Sequence, residues 1–515
     1  MSKPGSSARD RSFYRKVIYL VAMGALLMPL FWLSQPATRD TETQRGQPGG
    51  KLARLREAYH LSQTEIGQID PSTETMRLAT LGMRGVAGAI LWQKANKYQM
   101  KKDWTNLRAT LEQISKLQPH SIGVWRFQAW NLSYNVAASF DDYRDKYYWV
   151  IEGIKFLLRG AEANPHEPRL LWDVGWFISH KIGRADEAKP YRRLFVRDDD
   201  FHGSRPPELR DNWLVGKEWF RSAEERITPE HCAKGMSEVI FFSNAPMCQF
   251  YYGEALEKEG RFEEVARRAW VQAGVDWKDF GDRTFATSYE VPIRLNDEES
   301  CDEAVRRAAA GIDRIEPGLR EKIAKEKLKR LTAEERKALD LPAEKRSNAQ
   351  NQLAMEAQLR LIVTHDEVAR RVQGAAARRE ALKLAEEAHQ QQEMADIIRR
   401  ERSKVNFNYW RTRAAMEQTP EALATRVTVY KAGQAFAAGD ISTAKSLYEE
   451  GIKGWRLLLD RFPDLKEDVT MGENVVETIR RYEKCLKQLD EKLPKPFLLQ
   501  DMLDKYQSRF GAPEK

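Results

Sequence analysis

Helix pairs repeat along most of this 515-residue chain, and a few residue types mark each pair. One copy spans residues 91–121, and its markers are Ala95 and Tyr98 in a first helix, Leu107 and Leu111 in a second, and Pro119 at its end. A small residue lets two helices approach, a large neighbour fills the groove between them, and proline cannot continue a helix. The layout is that of a tetratricopeptide repeat.

The same pattern returns in degenerate copies. Their markers are Gly153, Leu157 and Pro165; Trp172 and Gly175; Gly253, Leu256, Ala266 and Trp270; and Gly433, Phe436, Ala444, Tyr448 and Pro463. Alternating strand patterns and tight-turn dipeptides are sparse. We therefore predict an all-α fold, a tetratricopeptide-like helical-repeat superhelix with one N-terminal transmembrane helix and a charged helical arm.

The N-terminus carries a membrane signal. Residues 17–33, VIYLVAMGALLMPLFWL, contain no charge and reach the lower length limit for crossing a hydrocarbon layer of ~30 Å. Basic residues cluster before this run, so the positive-inside rule predicts a cytoplasmic tail (1–16), a transmembrane anchor in the cell membrane (17–33) and export of the bulk of the chain to the periplasm or its equivalent. A cleaved signal peptide and a buried helix are the alternatives. Residues 34–70 are predicted to be a linker.

Composition divides the rest of the chain into three predicted parts. Residues 71–295 are predicted to form a tetratricopeptide-like helical domain, and residues 296–405 a charged helical arm. Residues 406–515 are predicted to form a second, C-terminal tetratricopeptide-like helical module. The arm is rich in strong helix formers, and its bases and acids interleave as they do on solvated helices. Its apolar positions do not keep a heptad repeat, which argues against a long coiled coil. We expect the arm to break near Gly374.

The tryptophan- and tyrosine-rich sequence of residues 75–300 also carries a family resemblance. The stretches beginning LGMRGVAGAILWQKANKYQMKKDW and LLWDVGWFISHKIGRADEA, and the run RDDDFHG, resemble a family of membrane-anchored planctomycete proteins labelled "IRE (iron responsive element)". The resemblance implies an anchored helical-repeat architecture. It brings no catalytic or binding residues to this chain.

Aromatic residues are the main candidates for a binding site. Eleven of the fourteen tryptophans lie between Trp92 and Trp277. Where the repeat is regular, large rings fill the space between helices, and this favours a core role for Trp92, Trp104, Trp172 and Trp270. Where it is irregular, we predict exposed groove residues that stack a ligand such as a sugar polymer or an extended peptide. They are Trp125, Trp130, Tyr134, Tyr147, Tyr148 and Trp149.

Acidic residues provide the candidates for a metal or catalytic site. Asp198, Asp199 and Asp200 with His202 offer carboxylate and imidazole ligands, and Asp141 and Asp142 could contribute from elsewhere. Three consecutive residues point in different directions on any regular element, however. A solvated loop or a helix cap is therefore the competing interpretation, and Asp198, Asp200 and His202 are weak metal candidates.

Catalytic and cofactor motifs are missing from the sequence. It has no phosphate-binding loop, no GxSxG elbow, no HExxH zinc motif and no CxxC pair, so we predict no cofactor and no enzymatic role. A Cys232–Cys248 bridge competes with free buried thiols. The formal net charge of +8 is mild for this length, and we expect no nucleic-acid partner.

These features predict a membrane-anchored helical-repeat scaffold that mediates protein–protein interaction on the non-cytoplasmic face. The membrane is contacted through the N-terminal helix, and the protein partners are unknown. The alternatives are an enzyme or metal-binding protein whose site is assembled from scattered Asp and His residues, and a protein that binds a cell-envelope polysaccharide.

Overall fold

The computed structural model describes residues 84–228, 235–262, 264–289 and 291–506, together with the isolated positions 21, 25 and 51. The chain divides into two compact units between Lys234 and Gly235. Apart from those isolated positions, the predicted tail, anchor and linker lie outside the described residues. Within the described ranges, no helix is both long enough and apolar enough to cross a bilayer.

The described residues form an all-α fold, as predicted. The first unit contains nine α-helices and two π-helical segments in its described part. They are α1 (Arg84–Met100), α2 (Trp104–Leu117), α3 (Ile122–Trp130), π1 (Asn131–Val136), α4 (Tyr143–Ala163), α5 (Pro168–Trp176), π2 (Phe177–Lys181), α6 (Ile182–Arg184), α7 (Ala188–Val196), α8 (Asp199–His202) and α9 (Asn212–Glu224). Short 3₁₀ turns occupy Ala137–Ser139 and Pro207–Leu209.

Three helix pairs make up the core of the first unit. Helix α1 packs on α2, α3 with π1 packs on α4, and α5 with π2 packs on α9. The predicted markers explain the first pair, because Ala95, Leu107 and Leu111 are all buried between its helices. Helices α2, α4 and α9 each begin at an aspartate whose carboxylate accepts a hydrogen bond from a free backbone N–H group of the first turn; the caps are Asp103, Asp142 and Asp211.

The second unit continues the helical pattern in its described part. Its helices are α10 (Glu238–Lys258), α11 (Glu264–Asp282), α12 (Glu298–Ile315), α13 (Leu319–Arg330), α14 (Ala333–Asp340), α15 (Asn348–Leu361), α16 (His365–Arg371), α17 (Ala375–Lys404), α18 (Phe407–Glu417), α19 (Pro420–Ala437), α20 (Ile441–Arg461), α21 (Val469–Lys487) and α22 (Gln500–Tyr506). A short antiparallel ribbon joins β1 (Thr284–Phe285) to β2 (Ile293–Arg294). Short 3₁₀ turns occupy Leu295–Asp297, Ala343–Lys345 and Pro463–Glu467.

Two of the predicted helix pairs lie in this unit. Helix α10 packs on α11, where the buried Trp270 ring faces Gly253 so closely that a Cβ atom there would lie 3.0 Å from it. Helix α19 packs on α20, where the predicted markers Ala444 and Tyr448 are buried. Gly433 is not the tight contact that the pattern indicates, since a Cβ atom added there would lie 3.8 Å from its nearest non-local neighbour, the Tyr448 hydroxyl oxygen.

The charged segment predicted over 296–405 consists of the six helices α12–α17. Helix α17 begins directly after Gly374, whose φ of +84° is a conformation that glycine adopts without strain, so the predicted break is confirmed. Helix α12 packs along α17. Between these helices and their neighbours lies a small apolar core that includes Ile312, Ile323 and Val368. The predicted boundary at residue 295 falls inside the second unit.

Candidate functional site: an aromatic groove in the first unit

Two equivalent sequence segments place aromatic rings at the ends of α3 and α5. Residues 129–134 read AWNLSY and residues 175–180 read GWFISH, which share the order small residue, Trp, any residue, aliphatic residue, Ser, aromatic ring. In each segment the tryptophan ends an α-helix and the aromatic ring lies in the π-helical stretch that follows. A π-helical stretch widens the helix and often occurs at functional sites.

Glycines in the partner helices explain why both segments have a small residue and a serine at matching places. A Cβ atom added at Gly153 of α4 would lie 2.7 Å from the Ala129 carbonyl oxygen and 2.1 Å from the Ser133 hydroxyl oxygen. A Cβ atom at Gly216 of α9 would lie 3.2 Å from the Gly175 carbonyl oxygen and 3.0 Å from the Ser179 Cβ. The small residue and the serine therefore face the partner helix, because only small side chains fit at these contacts.

A groove of about 500 Å³ opens beside these rings. Its lining is mostly aromatic, and the residues are Gly123, Arg126, Phe127, Trp130, Arg169, Trp172, Asp173, Trp176 and Phe177. Phe127 is 50% exposed and Trp130 is 45% exposed, which is unusual for side chains of this size. Contiguous exposed rings of this kind mark binding sites more often than isolated ones do.

The rings are held in fixed mutual positions. Phe127 lies 6.4 Å from Trp130, and Trp130 stacks on Tyr134 with 5.9 Å between ring centroids. Along α5 and π2, Trp172 stacks on Trp176 at 5.4 Å between ring centroids, and Trp176 stacks on His180 at 3.7 Å. These contacts restrict the side-chain rotamers, so the groove is preformed rather than assembled by a ligand.

Two contacts connect Tyr134 of the first segment to the π-helical stretch π2. The Tyr134 ring meets Phe177 edge-on at 5.7 Å, and the Lys181 ammonium lies 4.3 Å from the Tyr134 ring centroid. Burial raises the pKa of Tyr134, and a hydrogen bond with Trp176 opposes that shift. Burial also lowers the pKa of His180 to about 3, with Arg184 adding to the effect, so this ring is neutral at physiological pH and stacks as an uncharged aromatic group.

One edge of the groove is formed by two arginines around a buried carboxylate. The Arg126 Nε–H group donates to one Asp173 oxygen, and Arg169 Nε–H donates to the other at 3.2 Å. Burial raises the pKa of Asp173, while Arg126 and Arg169 oppose that shift. Because Arg126 comes from α3 and Asp173 from α5, this ion pair also joins two helix pairs. The Arg126 side chain remains 42% exposed.

The six predicted groove residues do not form one site. Trp130 lines the groove, and Tyr134 stacks on it. Trp125 was expected to be exposed but is only 5% exposed: its ring lies against Gly160, and its indole N–H donates to the Pro119 carbonyl oxygen at 2.8 Å. Tyr147 is also buried, where its hydroxyl donates to Asp198 at 2.8 Å, and burial is the main cause of its raised pKa. Trp125 and Tyr147 are therefore core residues.

Tyr148 and Trp149 belong to a second aromatic cluster. Trp149 contacts Trp104 at 6.5 Å and stacks on Phe140 at 6.1 Å. Tyr148 is 47% exposed, and its hydroxyl accepts a hydrogen bond from Arg108 at 3.1 Å. Neither residue lines the groove.

The acidic run has structural partners in this unit. Asp198 caps α8 by accepting from the Phe201 N–H at 3.0 Å, which matches the helix-cap interpretation. Asp199 pairs with Arg210 at 2.6 Å, and the buried His202 ring lies 2.8 Å from the Phe195 carbonyl oxygen. Asp200 is exposed. The described residues contain no group of three or more His, Cys, Asp or Glu side chains that could hold a metal ion.

The alternative enzyme site also included Asp141 and Asp142. Asp142 caps α4 by accepting from the Arg144 N–H at 2.7 Å, and Asp141 is exposed. The structure describes three of the four cysteines. Cys301 and Cys485 are buried free thiols, and Cys248 is buried. Cys232 lies outside the described residues, so its pairing with Cys248 stays a prediction.

Sequence reasoning missed most of the residues that line the groove. Phe127, Trp176, Arg126, Arg169 and Asp173 were not among the predicted site residues, and Trp172 was assigned to the core. Trp172 is indeed buried at 5% exposure, but one side of it lines the groove. The available signal was the internal match between AWNLSY and GWFISH, which relates Trp130 to Trp176.

Comparison of the chain with protein-family models and with curated proteins finds no match.

Proposed function

We propose that this protein is a membrane-anchored tetratricopeptide-like scaffold that binds protein partners on the non-cytoplasmic face, and that the aromatic groove is its docking site. The exposed Phe127 and Trp130 rings, which line the same groove as Trp172 and Trp176, carry the proposal. Aromatic residues and arginine dominate the binding energy of protein interfaces, and here both types converge on one groove.

Three further features support this function. The chain is built from helix pairs, and such pairs stack into superhelices whose surfaces bind peptides and proteins. The uncharged run at residues 17–33, preceded by basic residues, supports an anchor with the bulk of the chain outside the cytoplasm. The groove lining offers one carboxylate, Asp173, and both of its oxygens already accept hydrogen bonds from arginines, so the lining suits binding better than acid–base chemistry.

A site-directed cross-linking experiment tests this function. A benzophenone-bearing amino acid replaces Trp130 in the full-length chain in native membranes, and the same amino acid replaces Tyr148 in a control protein. The two residues have similar exposure in the same unit, but only Trp130 lines the groove. We expect a discrete, protease-sensitive adduct from position 130, which is lost when Trp176→Ala is added, and no such adduct from position 148.

Two results would contradict the proposal. Equal adducts from both positions would show that the groove has no special role. An adduct from position 130 that resists protease but is removed by glycan-cleaving enzymes would assign the groove to a polysaccharide instead.

A further inference from the structure

The polar groups of the groove restrict the class of ligand it can take. A ligand rich in hydroxyl groups needs a hydrogen-bonding partner for each group that it buries, because an unpaired buried hydroxyl costs free energy. The polar lining consists of Arg126, Arg169 and Asp173, and their ion pairs already occupy both Asp173 oxygens. The rest of the lining consists of aromatic rings and Gly123. A sugar chain would therefore find no unoccupied carboxylate in the lining to accept hydrogen bonds from its hydroxyl groups.

The spacing of the rings favours an extended peptide rich in proline. Among the rings that line the groove, Trp172 and Trp176 lie 5.4 Å apart between centroids, and Phe127 and Trp130 lie 6.4 Å apart. A polyproline II helix rises ~3.1 Å per residue, so two of its residues advance about 6 Å. Successive dipeptides of such a segment can therefore step from one ring to the next. Aromatic-lined grooves are the usual receptors for this conformation.

The hydrogen-bonding needs of this ligand also fit the groove. A polyproline II segment has no internal hydrogen bonds, and its prolines have no N–H groups, so it needs donors for its carbonyl oxygens and few acceptors. Arg126 uses its Nε–H group for Asp173, and its half-exposed guanidinium carries further N–H groups that can donate to a ligand. Both ligand and groove are ordered before binding, which reduces the entropy cost of association.

The charge of the groove lining favours some proline-rich peptides over others. The groove lining contains two arginines, Arg126 and Arg169, and one carboxylate, Asp173, so the formal charges of the lining residues sum to +1. From the ring spacing, the satisfied carboxylate and this charge, we infer that the groove binds a proline-rich segment in the polyproline II conformation with an acidic residue next to its prolines. This inference rests on the proposed function and names the chemistry of the partner segment.

The test is calorimetric titration of the full-length protein, reconstituted in lipid nanodiscs, with three peptides of ten residues. The first is all proline, the second has glutamate at the two central positions, and the third keeps these glutamates but replaces the prolines by glycine and serine. We expect the second peptide to bind most tightly and the third to bind at least tenfold more weakly than the second.

Three variants assign the binding to the groove. Trp130→Ala removes an exposed aromatic anchor and should weaken the second peptide about tenfold or more. Tyr148→Ala removes an equally exposed ring outside the groove and should change the affinity less than about twofold. Arg126→Gln should reduce the preference for the glutamate peptide over the all-proline peptide. Circular dichroism of each variant verifies that the helices remain.

The outcomes separate the inference from the proposed function. Absence of proline-peptide binding, with the position-130 protein adduct still formed, overturns the inference and leaves the scaffold function in place. Binding of a soluble glucan hexamer that is lost in Trp130→Ala overturns both. Equal loss of peptide binding in Trp130→Ala and Tyr148→Ala overturns the assignment of the peptide to this groove.

Discussion

Five charged side chains lie together among α10, α18 and α19 of the second unit, three of them buried and two partly buried, and their charges do not balance. They are Glu254, Glu257, Arg413, Glu417 and Arg426. Arg413 pairs with Glu254 at 2.6 Å, and Arg426 pairs with Glu417. Glu257 accepts a hydrogen bond from the Trp270 indole N–H at 2.8 Å. Its contact with Arg426 is longer, at 3.7 Å. Two guanidiniums thus face three carboxyl groups.

Burial is the main influence on the protonation of Glu257, and this charge imbalance adds to it. Burial, followed by the charge of Glu417, raises the pKa of Glu257 from 4.5 to about 7, although Arg426 opposes the shift. The folded state thus holds a proton that the unfolded chain releases near pH 4.5. The stabilisation that comes from this bound proton is fully present below pH 4.5, and it is lost as the pH rises from there through the folded-state pKa of about 7.

Glu257→Gln should remove this pH dependence. The amide oxygen can still accept from Trp270, but the group no longer ionises beside Glu417. We expect the variant to gain roughly 2–3 kcal/mol over the wild type at pH 8, and much less at pH 5. Thermal unfolding at both pH values measures this difference.

Glu254→Gln is the matched control. Burial acts to raise the pKa of Glu254, but Arg413, Lys258 and Arg426 together outweigh it and lower this pKa, so the charge of Glu254 is needed in the folded state. Its loss should destabilise the protein at both pH values by a few kcal/mol, since Arg413 is left buried without that partner. An equal effect of Glu257→Gln at pH 5 and pH 8 would refute the account of Glu257.

At the scale of elements, close helix contacts depend on particular glycines rather than on glycine in general. In the α19–α20 pair, a Cβ atom at Gly454 would lie 2.3 Å from the Thr425 hydroxyl oxygen and 3.1 Å from the Thr425 Cβ. The Thr425 Cβ is attached directly to the backbone and cannot rotate away. Gly433, on the opposite helix of the same pair, has room for a methyl group.

The two glycines should therefore respond in opposite ways to alanine. Gly454→Ala should destabilise the protein by roughly 1–2 kcal/mol, because overpacking outweighs the better helix propensity of alanine. Gly433→Ala should be neutral or stabilising by up to about 1 kcal/mol, since propensity acts alone there. Urea unfolding of both variants measures the difference. Equal effects at the two positions would contradict the contact geometry.

At the scale of the whole molecule, an uncharged N-terminal segment precedes two helical units in one chain. The net charge of +8 is spread over the whole length, and acids and bases interleave even in the charged helices. The groove lies in the first unit, so its residues would act outside the cytoplasm if the anchor has the proposed orientation.

Reporter fusions at the C-terminus test this orientation. We expect an alkaline phosphatase fusion to be active and a β-galactosidase fusion to be inactive, because the positive-inside rule predicts that the basic residues before the proposed anchor stay in the cytoplasm. Replacing Lys3, Arg9, Arg11, Arg15 and Lys16 by glutamine should reduce the phosphatase activity several-fold. An active β-galactosidase fusion on the unaltered sequence would refute the orientation.

The amino-acid sequence by itself determined the helical class and many helix ends. These features are local: Pro119 follows the last turn of a helix, and Gly374 adopts a backbone angle that other residues avoid. Such preferences act over one or two turns and can be recognised without knowing the neighbouring helices.

Only the tertiary structure decided which rings face solvent. Trp125 and Trp130 lie on the same helix, yet Trp125 is seated on Gly160 of α4 and Trp130 faces the groove. The pairing of Arg126 with Asp173 likewise joins two helix pairs that are distant in sequence. Exposure and pairing depend on which distant surface a side chain meets, and that is set by helix packing rather than by the residue's own neighbours in the chain.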